Sequence, residues 1–271
     1  MTTNVSDIRI LRAIAHAARD TAALVARLPA PPEPIATWEQ FKTEFDKLDA
    51  PASGLLRERL MSLYPGAGWA GELDSPVPES GEWWVVDAVD GAVQLLHGLP
   101  LWAVSVTLVR DGQAVLAAVH NAPFGRTYTA ALGHGAFLDG SPATPGTKTD
   151  PALAMLTTSH PPFPGRQPQA VVATARAVGA VLPHVGALRN LGPTSWQLAE
   201  VGGGRIDAFW QFGRDEGNLL GGALVAAEAG ALVTDIEGRP WRARSESILA
   251  AAPGLHGRLS ELLRDSAASA A

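Results

Sequence analysis

Trp84-Val85-Val86-Asp87-Ala88-Val89-Asp90-Gly91 is the stretch whose reading decides the fold. The apolar run from Trp83 to Val86 reads as a short buried strand that ends at Asp87. The end of a strand is where an α/β sheet exposes polar groups to a crevice. Two aspartates three positions apart, with Gly91 behind them, can point into one site. Taken alone, Asp-x-x-Asp-Gly is equally the pattern of a solvated turn.

Outward from this stretch the chain divides into two kinds of pattern. On the N-terminal side, Ile8, Leu11, Ile14, Ala15, Ala18, Ala22 and Val25 share one helical face, which predicts a helix over about 8–28. Pro29, Pro31, Pro32 and Pro34 then stop it. A second helix is expected from Ser53 to Leu63, before Tyr64-Pro65-Gly66. After the Asp87 region, Trp102, Val104, Val106 and Leu108 alternate with Ala103, Ser105, Thr107 and Val109 as a strand. Asp111-Gly112 marks a hairpin, and return strands follow at 115–120, 127–132 and 136–138, closed by Asp139-Gly140. Beyond residue 141 strands and helices alternate. Strands are expected at 155–159, 189–191, 208–212, 231–234 and 248–251, with helices at 170–181, 195–201, 217–228 and 256–264. The expectation is one compact unit made of an N-terminal α+β half (1–140, with an antiparallel meander) and a C-terminal α/β half (141–271).

Composition excludes several functions. The chain has 271 residues, 46% hydrophobic and 18% charged, which suits a sizeable core. Lys+Arg 21 against Asp+Glu 27 gives a net charge of −6, which argues against a nucleic-acid partner. The absence of Cys excludes disulfides, thiolate nucleophiles and Cys-ligated metals. No apolar run is long enough for a membrane span, and MTTNVSDIRI lacks the pattern of a secretory signal, so a cytoplasmic location is expected. The His residues show no ligand spacing.

Two more carboxylates join the aspartates of the opening stretch. Glu72 follows a turn in Trp69-Ala70-Gly71, and Asp215 precedes the helix expected from Gly217. Clustered carboxylates repel unless a cation sits between them, and hard oxygen ligands suit Mg²⁺. Glu72 as surface and Asp215 as a helix cap are the alternatives.

Several segments together resemble one family. Trp84 to Gly91 resembles the Trp-x-x-Asp-Pro-x-Asp-Gly-Thr signature of the inositol monophosphatase family. Gly71-Glu72 is similar to its Gly-Glu-Glu loop. Asn121-Ala122-Pro123 and Ala131 to Gly140 are similar to its Asn-Pro…Gly-x-Gly hairpin. Arg189 to Gly192, Gly202 to Phe209, Arg214-Asp215 and Ala226 to Gly230 follow in order, so that the likeness runs from about Asp49 to Gly238. The resemblance implies a layered αβαβα sandwich of the inositol monophosphatase and fructose-1,6-bisphosphatase type, in the superfamily of lithium-sensitive phosphatases. It also implies a homodimer and Mg²⁺-dependent hydrolysis of a small phosphomonoester. Matched residue by residue, Glu72, Asp87, Asp90, Asp215 and the Val89 carbonyl would hold metal. Backbone N–H groups of Gly91, Ala92 and Val93 would hold phosphate. Asp49 would help to activate water, beside Glu72 and Asp90, and Gln211 stands where the family has a substrate-side Glu.

This chain also departs from the pattern. Ala92 replaces the motif threonine, whose hydroxyl ligates metal and positions water; losing one positioned proton acceptor costs about 10²–10⁴ in rate. Leu73 replaces the second loop acid, Ala88 the proline, and Gly217-Asn218 the two alanines. Arg214 replaces a tryptophan, either to bind a second anionic group of the substrate or to pair with Asp215 or Glu216. The functional expectation is a Mg²⁺-dependent phosphomonoesterase acting on a sugar, polyol or nucleotide-derived phosphate. The alternatives are a repurposed member that binds an anionic ligand or does other chemistry, and a non-catalytic regulatory partner.

Overall fold

The computed structural model describes residues 5–31, 33–70 and 76–268. Helix α1 (Val5–Val25) buries Ile10, Ile14, Ala18, Ala22 and Val25. The helical face is the expected one from Ile14 onward; at the start it turns, so that Ile10 is buried and Ile8 exposed. The helix stops before the prolines.

Helix α2 (Trp38–Leu63) is much longer than the sequence pattern predicts. It starts at a capping box: the Thr37 hydroxyl accepts from the Gln40 backbone N–H, and the Gln40 carboxamide accepts from the N–H of Thr37. It runs through Pro51, which forgoes one helical hydrogen bond, and buries Leu48, Ala52, Leu56 and Leu60 at four-residue intervals.

Both helices cover one face of a seven-stranded sheet whose strands lie in chain order. They are β1 (Gly68–Trp69), β2 (Glu82–Asp90), β3 (Ala103–Arg110), β4 (Gln113–Asn121), β5 (Arg126–Ala131), β6 (Ala136–Leu138) and β7 (Ser141–Pro142). β1 runs parallel to β2; every later pair is antiparallel. Asp111-Gly112 and Asp139-Gly140 turn the chain with positive φ at all four residues (50°, 73°, 49° and 83°), as tight hairpins require.

The second sheet has the order β11-β12-β10-β8-β9. Its strands are β8 (Met155–Thr158), β9 (Ala187–Arg189), β10 (Ala208–Phe212), β11 (Leu232–Thr234) and β12 (Ser247–Ala251). β8 is parallel to both β9 and β10, whereas β12 is antiparallel to β10 and β11. Helices α4 (Pro168–Val181) and α7 (Pro253–Ala268) cover its outer face. The short helix α3 (Ala92–Leu96) follows β2, and α5 (Thr194–Gly202) and α6 (Glu216–Glu228) fill the space between the sheets. The layers therefore read helix, sheet, helix, sheet, helix.

The alternation in β3 does not mean that one face meets water. Val104, Val106 and Leu108 pack under α1 and α2, while Ala103, Ser105, Thr107 and Val109 are buried on the opposite face. The small polar residues mark where α6 comes close. A Cβ on Gly221 would lie 2.6 Å from Thr107 Oγ1, and one on Gly222 would lie 2.4 Å from the Ser195 carbonyl oxygen. Glycines on α6 thus set its distance from both β3 and α5.

Candidate metal and phosphate site

The two aspartates of β2 lie within the strand, which runs to Asp90, and not beyond its end. Residues three apart on a regular strand face opposite sides of a sheet. Here Asp87 pairs with Ser105 and Asp90 with Ala103, so β2 carries one residue more than β3 across this interval. The bulge turns Ala88 and Val89 both into the layer under α1 and α2. Asp87 and Asp90 are thereby brought to the same face, toward α5 and α6.

Asp90 is buried and closes onto the start of α5. Its Oδ1 accepts from the Thr194 N–H at 3.1 Å, and its Oδ2 accepts from the Ser195 N–H at 2.9 Å and from the Ser195 hydroxyl. Thr194 in turn donates through its hydroxyl to Ser159 Oγ at 3.2 Å, just past β8. Burial pushes the Asp90 carboxyl up to about 6, against the lowering effect of these donors.

Asp215 stands at the N-cap position of α6 but makes no side-chain capping bond to the helix backbone. Its carboxylate is held by carboxamides instead: Gln211 Nε2 donates to Oδ2 at 2.9 Å and Asn218 Nδ2 to Oδ1 at 2.6 Å. Burial pushes this carboxyl up to about 8; the two donors oppose the rise, and negative charge at Asp90 and Glu216 adds to it. Asp90 and Asp215 therefore sense one another across the head of the α5–α6 layer.

Asp87 is half-buried and accepts the Val89 N–H on Oδ1 at 3.0 Å. Gly91 follows with φ 92°, and a Cβ there would lie 2.6 Å from the Leu101 carbonyl oxygen and 2.8 Å from Pro193 Cγ. Only glycine makes this turn, which leads directly into Ala92 and Val93 at the start of α3.

The sequence profile of the inositol monophosphatase family matches residues 11–268. The chain belongs to that family. Its members are metal-dependent phosphatases. The chain is 34% identical over 193 residues to the inositol-1-monophosphatase of Rhizobium meliloti, covering 70% of this chain and 71% of that one. It is 32% identical over 196 residues to the Nus factor SuhB of Pseudomonas aeruginosa, covering 71% and 72%. Among solved structures, the extragenic suppressor protein suhB of Bartonella henselae superposes with a TM-score of 0.79 at 23% identity, over 94% of this chain and 99% of that one.

Several motif residues of the family serve the fold here. The Glu228 carboxylate accepts the N–H groups of Gly133 and Gly135, both at 2.8 Å, and so clasps the β5–β6 turn to the end of α6. Asp207 accepts from Lys148 Nζ at 2.7 Å and from the Met155 N–H at 2.8 Å. Asn121 Oδ1 accepts the Phe124 N–H at 3.0 Å, and Asp139 Oδ1 the Thr127 N–H at 2.9 Å, each within the hairpin.

Other expected site residues take particular places. Asp49 lies in the middle of α2, half-buried, and Ser53 Oγ donates to its two oxygens at 3.1 and 3.3 Å. The Gln211 carboxamide is fully buried behind Asp215, and among the described residues its Oε1 has no hydrogen-bond partner. Arg214 pairs with neither Asp215 nor Glu216: its Nε donates to Glu246 Oε1 at 2.7 Å, because Asp215 is turned inward while Arg214 stays exposed. Glu72 and Leu73 lie outside the described residues.

Sequence reasoning missed Thr194 and Ser195, the donors to Asp90; a Pro-Thr-Ser run opening a helix was the available signal. It also missed Glu200, buried in α5, which accepts from Trp196 Nε1 at 2.8 Å and Arg205 Nε at 2.6 Å. Arg205 extends this bond network to the Tyr128 hydroxyl at 2.7 Å on β5.

The donor set fits a hard divalent cation. Among the described residues no three acidic or imidazole side chains form a metal-holding cluster. Asp90 and Asp215 nevertheless supply only oxygen donors, are buried, and repel one another. Each Asp215 oxygen accepts one side-chain hydrogen bond, which leaves a lone pair on each for an ion. A pair of this kind needs protons or a cation to be stable at neutral pH.

Proposed function

We propose that this chain is a Mg²⁺-dependent phosphomonoesterase acting on a small phosphorylated metabolite. The observation that carries the reading is the buried, mutually repelling pair Asp90 and Asp215, on the elements where the family signature predicts metal ligands. Asp87, Asp90, Asp215, Glu72 and the Val89 carbonyl would hold the metal. When bound, Mg²⁺ supplies Lewis acidity at the phosphoryl oxygens and a water of lowered pKa.

The chain's own residues supply the rest. The left-handed turn at Gly91 opens α3, and the backbone N–H groups of Gly91, Ala92 and Val93 at that start would hold the phosphate. The donors of α5 keep Asp90 oriented without solvent. Gln211 and Asn218 do the same for Asp215. Asp49 would serve as the base for the attacking water, reached without the hydroxyl that Ala92 lacks. The same reading carries a homodimer and a cytoplasmic location.

Phosphate release from a panel of sugar, polyol and nucleotide-derived monophosphates tests the reading. Release that requires Mg²⁺ and is lost in Asp215→Asn is expected. No release from any of them, with the ligands still binding, would overturn it in favour of a repurposed binding protein.

A further inference from the structure

We propose that Arg166, Arg189 and Arg214 form a cationic rim that takes a second anionic group of the substrate. The inference rests on the phosphomonoesterase reading and narrows its substrate to phosphate esters carrying a further carboxylate or phosphate.

The rim follows from topology. β9, β8 and β10 are parallel neighbours, so their carboxyl ends share one edge of the second sheet. Asp215 lies three residues beyond the end of β10, and Ser159, bonded to Thr194, one residue beyond β8. This edge is therefore the one that borders the site. An arginine leaves it on each of the three strands: Arg189 ends β9, Arg166 lies in the loop after β8, and Arg214 follows β10. Adjacent strands are about 4.8 Å apart, which puts the ends of β9 and β10 roughly 10 Å from one another.

The loops are also fastened together. Gln167 Oε1 accepts the Arg214 N–H at 2.7 Å, and Gln167 Nε2 donates to the Arg214 carbonyl at 2.9 Å. Arg166, next in sequence to Gln167, is thus kept beside Arg214. All three guanidinium groups are exposed. Arg166 lies over the Phe163 ring, 4.5 Å from its centroid. Arg189 Nη1 donates to its neighbour's carbonyl, Leu188 O, at 2.8 Å, and among the described residues Arg189 makes no ion pair. Among the described residues, Glu246 holds Arg214 Nε, and the half-buried Glu216 lies two positions on from Arg214. Each guanidinium has five N–H donors, so Arg189 and Arg214 keep donors for an oxyanion. In a chain of net charge −6, three arginines on one edge favour an anion there, and a neutral polyol would gain nothing from them.

The test compares three probes with Mg²⁺ present: glycerol 2-phosphate, 3-phosphoglycerate and fructose 1,6-bisphosphate. The expected result is a KM at least tenfold lower for one or both two-anion probes; which one separates carboxylate from phosphate. Arg189→Gln should raise that KM at least fivefold more than it raises the KM for glycerol 2-phosphate, and Arg189→Lys should restore part of the difference. Equal KM values for all probes, or an equal effect of Arg189→Gln on each, would overturn the proposal. If no probe releases phosphate, the wider panel decides the phosphomonoesterase reading separately. Calorimetric binding of the same probes then decides the rim: tighter binding of a two-anion probe, lost in Arg189→Gln, supports it, and equal binding overturns it.

Discussion

The Ser195 backbone N–H donates to Asp90 Oδ2 at 2.9 Å, across 105 positions of sequence. This bond joins the last residue of β2 to the first turn of α5, where unpaired N–H groups and the helix dipole favour negative charge. Burial works in the opposite sense and dominates, so Asp90 holds its proton more tightly than an ordinary aspartate. The structure keeps the carboxylate oriented but leaves its charge incompletely compensated.

That balance predicts how stability depends on pH. Folding raises the carboxyls of Asp90 and Asp215 from 3.8 to about 6 and about 8. The folded state therefore binds more protons than the unfolded one, and stability is lost as pH rises through those two values. Thermal melting of the metal-free chain should show Tm falling between about pH 4 and pH 8. Mg²⁺ should raise Tm most at the alkaline end, and Asp215→Asn should flatten the upper part of the fall. A Tm that stays level, or the same Mg²⁺ increment at both ends, would contradict this.

Ala92→Thr restores a hydroxyl directly after the Gly91 turn. If that hydroxyl is what the site lacks, phosphate release should rise by about 10²-fold or more, with little change in KM. Steady-state kinetics on the best substrate of the panel would measure it; an unchanged kcat would mean that water is positioned by other groups.

Gly222→Ala would place a methyl 2.4 Å from the Ser195 carbonyl oxygen and 2.6 Å from Leu198 Cβ. Both neighbours are held in α5, so the helices must part. The expected cost is about 1–3 kcal/mol in urea unfolding, together with weaker Mg²⁺ binding, because Ser195 carries Asp90. Lost stability with unaltered Mg²⁺ affinity would separate the packing of α5 from its hold on the acid.

Pro51→Ala should act in the other direction. It restores an N–H donor in the interior of α2 and removes the ring from the path of the Lys47 carbonyl. A gain of up to about 3 kcal/mol in unfolding free energy is expected, read from the denaturant midpoint. A loss would show that the helix needs the bend proline gives it.

Most strands and the outer helices were legible because their signals are local. The Asp-Gly turns and the return to period two fix the hairpins, and β6 and β10 begin and end where the pattern predicts. Helix α2 was read only from Ser53, although Thr37-Trp38-Glu39-Gln40 already spelled its capping box. The bulge in β2 has no local signature, so Asp87 and Asp90 were expected past a strand end. What holds the acids was not legible, since Ser195 meets Asp90 only after folding. For Arg214 the sequence offered an anionic group of the substrate or its neighbours Asp215 and Glu216, whereas its ion-pair partner Glu246 arrives from the other side of β11. Gly133, Gly135 and Glu228 were recognised as separate motifs, and only the structure makes them one hydrogen-bonded unit.

The extra residue in β2 makes the step between the two acids even in effect, as a common facing requires. Ala88 stands where the family signature has proline. Removing either Ala88 or Val89 would restore regular pleating with the acids two apart, so both would still face α5 and α6. Parity along the strand, reached by a bulge or by one residue fewer, decides which side each acid takes.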